Sequence, residues 1–305
     1  MAHSEKVVKR ILKMVEQGHS YRTIADRVLG NQSKSSSVSD IVKRAGSPCT
    51  KAGGIDIFLL PDCQVREGVD TDHLIAAGQY IAEHRPDVIV CIGDFADMAS
   101  LSIYDKPGSK HSEGLRYVDD ISASKEAMGL FLSSFEDIKG YNPRLVMTLG
   151  NHEQRIERAI SANPKHFEGV ISMDDLCYEG FGWEVYDFLD IVNINGVNFS
   201  HYFINPNSLM KNVIGGNCDT KLKNLGFSFV AGHQQILQQG IMYRADGSAI
   251  QGLVAGAFYS HEEEYLPPHQ GNLSHWRGAV MMRDVWDGTW DTEMLSIDRL
   301  VEGWG

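Results

Sequence analysis

The stretch Leu145-Val146-Met147-Thr148-Leu149-Gly150-Asn151-His152-Glu153 constrains this chain more than any other. A short apolar run of this kind reads as a buried strand. It stops at a glycine, and an amide, an imidazole and a carboxylate follow at once. Ligands in open α/β sheets bind just past the carboxyl ends of strands, so a strand that ends this way is suited to a polar ligand. The tetrapeptide by itself fits an ordinary strand-to-helix turn equally well, but the pattern recurs. Residues 55–60 run into Asp62-Cys63-Gln64, and residues 88–92 run into Gly93-Asp94-Phe95-Ala96-Asp97. Residues 197–203 carry Ser200-His201-Tyr202, and residues 227–231 run into Gly232-His233-Gln234-Gln235. Five strand ends on one sheet edge can converge on one site, and Asp, Asn and His are ligands for Mg, Mn, Fe or Zn.

A helix expected at 71–84, between the first two strands, predicts a right-handed βαβ unit and a parallel sheet. Further helices are expected at 119–138 and 153–162. The second half is richer in strands, at 183–187, 190–194, 197–203, 227–231, 239–243, 250–259 and 279–285. Asn195-Gly196 and Asp246-Gly247 supply hairpin turns. Residues 98–118 and 261–276 read as loops that shape specificity.

The charge is uneven. Residues 1–46 hold nine Lys/Arg against four Asp/Glu, and the remainder holds 19 against 36, for a net charge of -12. That asymmetry predicts a basic module on an acidic body. Apolar spacing in residues 4–17, 21–28 and 38–42, with Ser20 and Ser37 as caps, predicts three short helices. With basic residues outside, they resemble a helix-turn-helix of the resolvase or transposase kind, in which Arg22, Lys34, Ser36, Lys43 and Arg44 would contact DNA. A small helical bundle packing on the body or making a dimer contact fits the same pattern. The expected division is 1–46 for this module, 47–54 for a linker and 55–305 for the main domain. Five cysteines without a CxxC pair argue for a reducing compartment. No secretory signal or membrane span is seen, so a cytoplasmic protein without membrane contact is expected.

The order Asp62-x-Gln64, Gly93-Asp94-x-x-Asp97, Gly150-Asn151-His152-Glu153, His201 and Gly232-His233-x-Gln235 resembles the calcineurin-like metallophosphoesterases over about residues 55–260. The resemblance implies an α/β fold of two packed sheets flanked by helices, with two divalent metal ions at the strand ends. Carried over by motif, Asp94 would bridge both ions and Asp62 would hold the first. Asn151, His201 and His233 would complete the second site. His152 would be the general acid, oriented by Asp97. The chain departs from the family where Asp-x-His and Gly-His-x-His are usual, because Gln64 and Gln235 stand there. Both changes fall on the first site, which becomes an oxygen-donor set of Asp62, Gln64, Asp94 and Gln235. Amide oxygens are neutral, hard donors, so Mn is the expected metal, with Mg or Fe as alternatives.

Arg155 could reach a substrate phosphate bidentately, although a solvated helix face fits it as well. His261, before Glu262, Glu263 and Glu264, either reaches the metals or belongs to a surface charge run. Cys63 reads as packing. His3, His19, His73, His84, His111 and His166 read as exposed or locally satisfied. The leading functional expectation is a DNA-processing phosphodiesterase or nuclease, of phage or mobile-element origin, since phosphate contacts dominate non-specific DNA affinity. A phosphatase or phosphodiesterase on nucleotides or phosphoproteins is the second reading. A DNA-binding regulator with a vestigial phosphoesterase domain is the third.

Overall fold

The computed structural model describes residues 54–103, 113–262 and 274–305, and in the N-terminal segment Val7, Arg10, Ile11, Lys13, Met14 and residues 27–30. The chain divides into two compact units, Met1–Gly54 and Ile55–Gly305. In the first unit the described residues up to Leu29 are helical, and Ile11 and Met14 are buried. Arg22, Lys34, Ser36, Lys43 and Arg44 lie outside the described residues, as do His3, His19 and His111 and the linker before Gly54.

The second unit runs β1 (Ile55–Leu60), α1 (Asp72–His84), β2 (Val88–Cys91), α2 (Tyr117–Ser133), β3 (Arg144–Thr148), α3 (Arg155–Ala162), α4 (Pro164–Phe167) and β4 (Glu184–Tyr186). It continues with β5 (Val192–Ile194), β6 (Val197–Phe199), α5 (Cys218–Leu225), β7 (Phe229–Ala231), β8 (Leu237–Tyr243) and β9 (Ala249–Ala255). It ends with β10 (Gly278–Trp286), β11 (Thr289–Ser296) and α6 (Ile297–Trp304). Six strands form one mixed sheet in the order β11-β10-β1-β2-β3-β4, and five form a second in the order β5-β6-β7-β9-β8. Strands β1 to β4 are mutually parallel, and so are β6, β7 and β9. This is the two-sheet α/β sandwich that the sequence leads one to expect.

Strand alternation builds two cores from one strand. Ile55, Ile57 and Leu59 face the second sheet, where Phe199, Val230 and Leu253 meet them, with Val90 of the neighbouring β2 in the same cluster. Phe58 and Leu60 face the other way, among Leu74, Tyr80, Met128 and Phe131 of α1 and α2. A parallel strand buried on both faces must be apolar throughout, which is why this segment reads so clearly. A third cluster, with Cys218 and Leu222 of α5 against Phe229 and Val254, closes the outer face of the second sheet. Among the described residues no helix is long and apolar enough to cross a membrane.

Several strands are shorter than their apolar runs. The run at 197–203 leaves the ladder after Phe199, and the run at 250–259 ends at Ala255, with Gly256 at φ 82°. In both cases the chain departs to deliver site residues. Helix α5, strand β11 and helix α6 go unrecognised in the sequence. Their signals are present: Asn217 caps α5 through Thr220 N, and Ser296 caps α6 through Arg299 N. Asp287 and Gly288 make the left-handed turn before β11.

Candidate metal centre

Strands β1, β2, β3, β6 and β7 all end on one edge, and each delivers its polar segment there. The delivery is strained. Asp62, Gln64, Asp94, His233 and Gln235 have φ of 29°, 44°, 52°, 66° and 57°, in the left-handed region that costs a non-glycine residue roughly 1–2 kcal/mol. Strain of this kind persists at functional sites only where the surroundings impose it. The fully buried Ile57, Phe58, Leu59 and Leu60, at about 1.5–3 kcal/mol each, outweigh it on β1. Close approach also needs bare backbone. A Cβ on Gly150 would lie 2.1 Å from Asp94 Oδ1, and one on Gly232 would lie 2.4 Å from Asp62 Oδ1.

Asp94 stands at the centre. Its carboxylate and the imidazoles of His201 and His233 bring ligand atoms within 4.8 Å of one another. His201 Nε2 is 3.2 Å from Asp94 Oδ2 and 3.0 Å from Asn151 Oδ1, and Nδ1 of the same ring donates to Ile92 O at 2.8 Å. That last bond turns Nε2 toward the carboxylate. Burial acts to raise the Asp94 pKa, but His152 and His201 hold the carboxyl below the usual range. Burial also works against charge on His201, yet Asp94 pushes its pKa up to about 10. Burial lowers His233 to about 4, so this ring is a neutral donor. Two imidazoles, an amide oxygen and a carboxylate suit a first-row divalent ion.

Asp62 and Gln64 are both buried beside this group. Gln64 N donates to Asp94 O at 2.8 Å, and Asp62 Oδ1 accepts His233 N at 3.0 Å. Asp62 Oδ2 and both polar atoms of the Gln64 side chain have no hydrogen-bond partner. Buried polar groups are normally satisfied. Burial, with the nearby Asp94 carboxylate, pushes the Asp62 carboxyl up to about 7. Orphaned oxygens at these two positions fit a hard divalent ion. Gln235 differs, because its Oε1 accepts the Tyr259 hydroxyl at 2.9 Å.

His152 lies at the rim. Its Nδ1 is 2.8 Å from Asp97 Oδ1 and 2.9 Å from Asp97 O, and its Nε2 is 3.7 Å from Asp94 Oδ2. Burial acts to lower the His152 pKa, but Asp94 and the Asp97 hydrogen bond raise it above the ordinary value. Asp97 serves more than one cation. Arg66 Nη1 lies 3.2 Å from its Oδ2, and Arg155 Nη1 donates to its carbonyl at 2.9 Å. Arg155 also donates to Met98 O at 3.3 Å, which leaves Nη2 beside His152 Nε2 at 3.3 Å. One arm of the Arg155 guanidinium is thus committed, and a bidentate fork toward a phosphate is not free. Arg158 donates to the Asn151 carbonyl.

Arg66, Tyr259 and His275 at this edge carry no clear signal in the sequence, and Glu153, though part of the Gly-Asn-His-Glu motif, has a role that the motif does not show. Arg66 has no spacing that marks it. Glu153 is fully buried and accepts Asp94 N at 3.0 Å, Gly150 N at 2.9 Å and Ala96 N at 3.0 Å, so it ties two turns together. Tyr259 and His275 join Gln235. His73, expected to be exposed or locally satisfied, is buried and meets Phe258 O at 3.0 Å, 185 residues away. His84 and His166 do bond locally, to Tyr80 O and Asn163 Oδ1. Cys63 packs in the core as expected. His261 stacks on Tyr259 with ring centroids 4.5 Å apart, and the described cluster of ligand atoms comprises Asp94, His201 and His233. No match to a curated protein is found. The calcineurin-like phosphoesterase profile matches residues 56–233, from the second residue of β1 to the histidine after β7, and the chain therefore belongs to that family of metal-dependent phosphoester hydrolases.

Proposed function

We propose that this phosphoester hydrolase is a DNA-processing phosphodiesterase or nuclease that works through two divalent ions, with Mn as the natural occupant. The observation that carries the dinuclear reading is the pair of orphaned oxygens, Asp62 Oδ2 and Gln64 Oε1, beside Asp94. Asp62, Gln64, Asp94 and Gln235 would hold one ion, and Asp94, Asn151, His201 and His233 the other. When bound, such ions neutralise phosphoryl oxygens and supply an acidified water for in-line attack.

The side chains supply the rest. Asp97 accepts a hydrogen bond from His152 Nδ1–H, which orients the ring so that a proton held at Nε2 faces the leaving oxygen. A positioned acid of this kind adds roughly 10²–10⁴-fold. Arg155 keeps Asp97 in place and offers its second arm as one donor to a phosphoryl oxygen. The nucleic-acid reading rests on the basic segment 1–46 with its nine Lys/Arg, since phosphate neutralisation supplies most non-specific DNA affinity. The acidic body favours a smaller phosphoester, and that is the second reading.

The test is hydrolysis of labelled single- and double-stranded DNA with added Mn, beside His152→Asn. The expected result is Mn-dependent cleavage that falls by about 10²–10⁴-fold in the variant while bound metal is unchanged. Cleavage of a small diester but not of DNA supports the second reading. Tight DNA binding without hydrolysis of either substrate refutes both.

A further inference from the structure

Helix α3 turns one face, Arg155, Arg158, Ala159 and Ala162, toward Leu101 and Ile103, and these six side chains line a cavity. Spacing of i, i+3, i+4 and i+7 sets the four helical residues on a single stripe. The cavity begins at the catalytic acid. Arg155 Nη2 is 3.3 Å from His152 Nε2, the atom that faces the leaving oxygen. When the bond from phosphorus to that oxygen breaks, the group attached to the oxygen lies next to Arg155 and therefore at this cavity. The cavity measures about 90 Å³. An enclosed apolar cavity that holds benzene is larger, at about 150 Å³, so a ring or sugar lies along this opening and enters it only in part.

The lining selects the occupant. Leu101, Ile103, Ala159 and Ala162 supply apolar walls, and no carboxylate is among the lining residues. The only charged groups there are two guanidiniums. Outside residues 1–46 the chain holds 36 acidic residues against 19 basic ones, so the sign of charge is locally reversed at this place. Arg155 is committed through Nη1 to Asp97 O and Met98 O. Arg158 is anchored through Nη2 to Asn151 O and through Nε to Gln154 O at 3.4 Å. Its Nη1 has no hydrogen-bond partner among the described residues. A guanidinium held by two of its nitrogens presents the third in a fixed direction, and it stays charged at any working pH. An oriented cationic donor beside an apolar wall fits a ligand with an apolar body and a fixed negative charge. A nucleoside that carries a further phosphate has both, and a simple alcohol has neither.

We propose that this cavity is the leaving-group subsite, where Leu101, Ile103, Ala159 and Ala162 pack against the departing nucleoside and Arg158 binds the next phosphate along the strand. The inference rests on the nuclease reading above and deepens it. Arg158 becomes a specificity residue, and a bond within a strand is cut in preference to one that releases an unphosphorylated terminal nucleoside.

The experiment uses the full chain with added Mn²⁺ and three substrates: dithymidine phosphate alone, with a 5′-terminal phosphate, and with a 3′-terminal phosphate. Product identity shows which nucleoside leaves, and so which added phosphate it carries. For that form kcat/KM should exceed the value for the bare dinucleotide on the order of tenfold, since a charge-assisted hydrogen bond is gained. The preference should disappear in Arg158→Gln. Because Arg158 also touches Asn151, Ala162→Glu is measured beside it. That change sets a negative charge at the cavity one turn further along α3, and it should shrink the preference as well. Equal rates on the three dinucleotides, or a preference that both variants keep, overturn the subsite and leave the nuclease reading standing. Hydrolysis of DNA but of no dinucleotide does the same, because two nucleosides and one added phosphate complete the contacts proposed. Hydrolysis of bis(p-nitrophenyl) phosphate but of neither dinucleotides nor DNA overturns the nuclease reading and the subsite with it.

Discussion

His73 shows what one buried ring contributes. It packs edge-on to Phe258 with centroids 4.9 Å apart and donates from Nε2 to Phe258 O, in the segment that also meets Asp62 O. Burial lowers its pKa to about 4, against about 6.5 in an unfolded chain. The folded state therefore prefers the neutral ring. Between pH 6.5 and 4 the unfolded chain takes up a proton that the folded chain refuses, so stability falls as pH falls through that window and is level above it. The loss amounts to about 3 kcal/mol at most. Urea denaturation of chelator-treated protein should show His73→Gln less stable than the wild-type chain at pH 7.5, with the difference shrinking by pH 4.5. A difference independent of pH would remove the ring from this account. Residue types at the metal centre are legible in the sequence because Asp, Asn and His must sit at strand ends to reach an ion. His73, Arg66, Tyr259 and His275 are not legible, since each acts through a contact made only by folding.

The turns after β2 and β3 form one unit, and Glu153 is the reason. Its carboxylate receives Asp94 N, Ala96 N and Gly150 N, with the Tyr178 hydroxyl at 3.4 Å. Every partner is a donor. Burial pushes this carboxyl up, and the backbone N–H groups oppose that. Glu153→Gln sets an NH₂ group against N–H donors, so a loss of about 3 kcal/mol is expected in urea denaturation. Weaker binding at the Asp94 centre should accompany it, and calorimetry would detect that. The glycines test the same turn. A Cβ on Gly150 meets Asp94 N at 2.3 Å as well as its carboxylate, and backbone cannot yield. Gly150→Ala should cost at least about 1–3 kcal/mol and abolish metal retention. Gly129 on α2 has nothing within 4 Å of an added Cβ, so Gly129→Ala should stabilise by up to about 1 kcal/mol. Equal effects of the two would contradict the close-approach argument. At this scale, strands buried on both faces are legible because burial demands an unbroken apolar run. The three-residue strands β4 to β7 blur into their flanks, since the chain leaves the ladder while still apolar.

Across the whole chain the main domain declares itself through recurrence: one motif after another falls at a strand end, in an order that a sandwich can bring to one edge. The helices at its close carry only caps and turns, which are weak signals without a partner to pack on. The basic residues of the segment 1–46 speak to charge and not to packing, and their proposed role stands on electrostatics. That role makes a separable prediction. Replacing Arg22, Lys34, Lys43 and Arg44 together by alanine in the full chain removes four positive charges far in sequence from Asp62 to Gln235. Hydrolysis of a small diester should not change. Binding to duplex DNA should weaken at low salt, and the slope of log K against log salt should fall by up to about 3–4, since each neutralised phosphate contributes about 0.9. Fluorescence anisotropy over a salt series measures that slope directly. An unchanged slope with intact diesterase activity would detach the basic segment from DNA and turn the substrate assignment toward a small phosphoester, which the excess of 36 acidic over 19 basic residues in the rest of the chain would not repel as it would a polyanion.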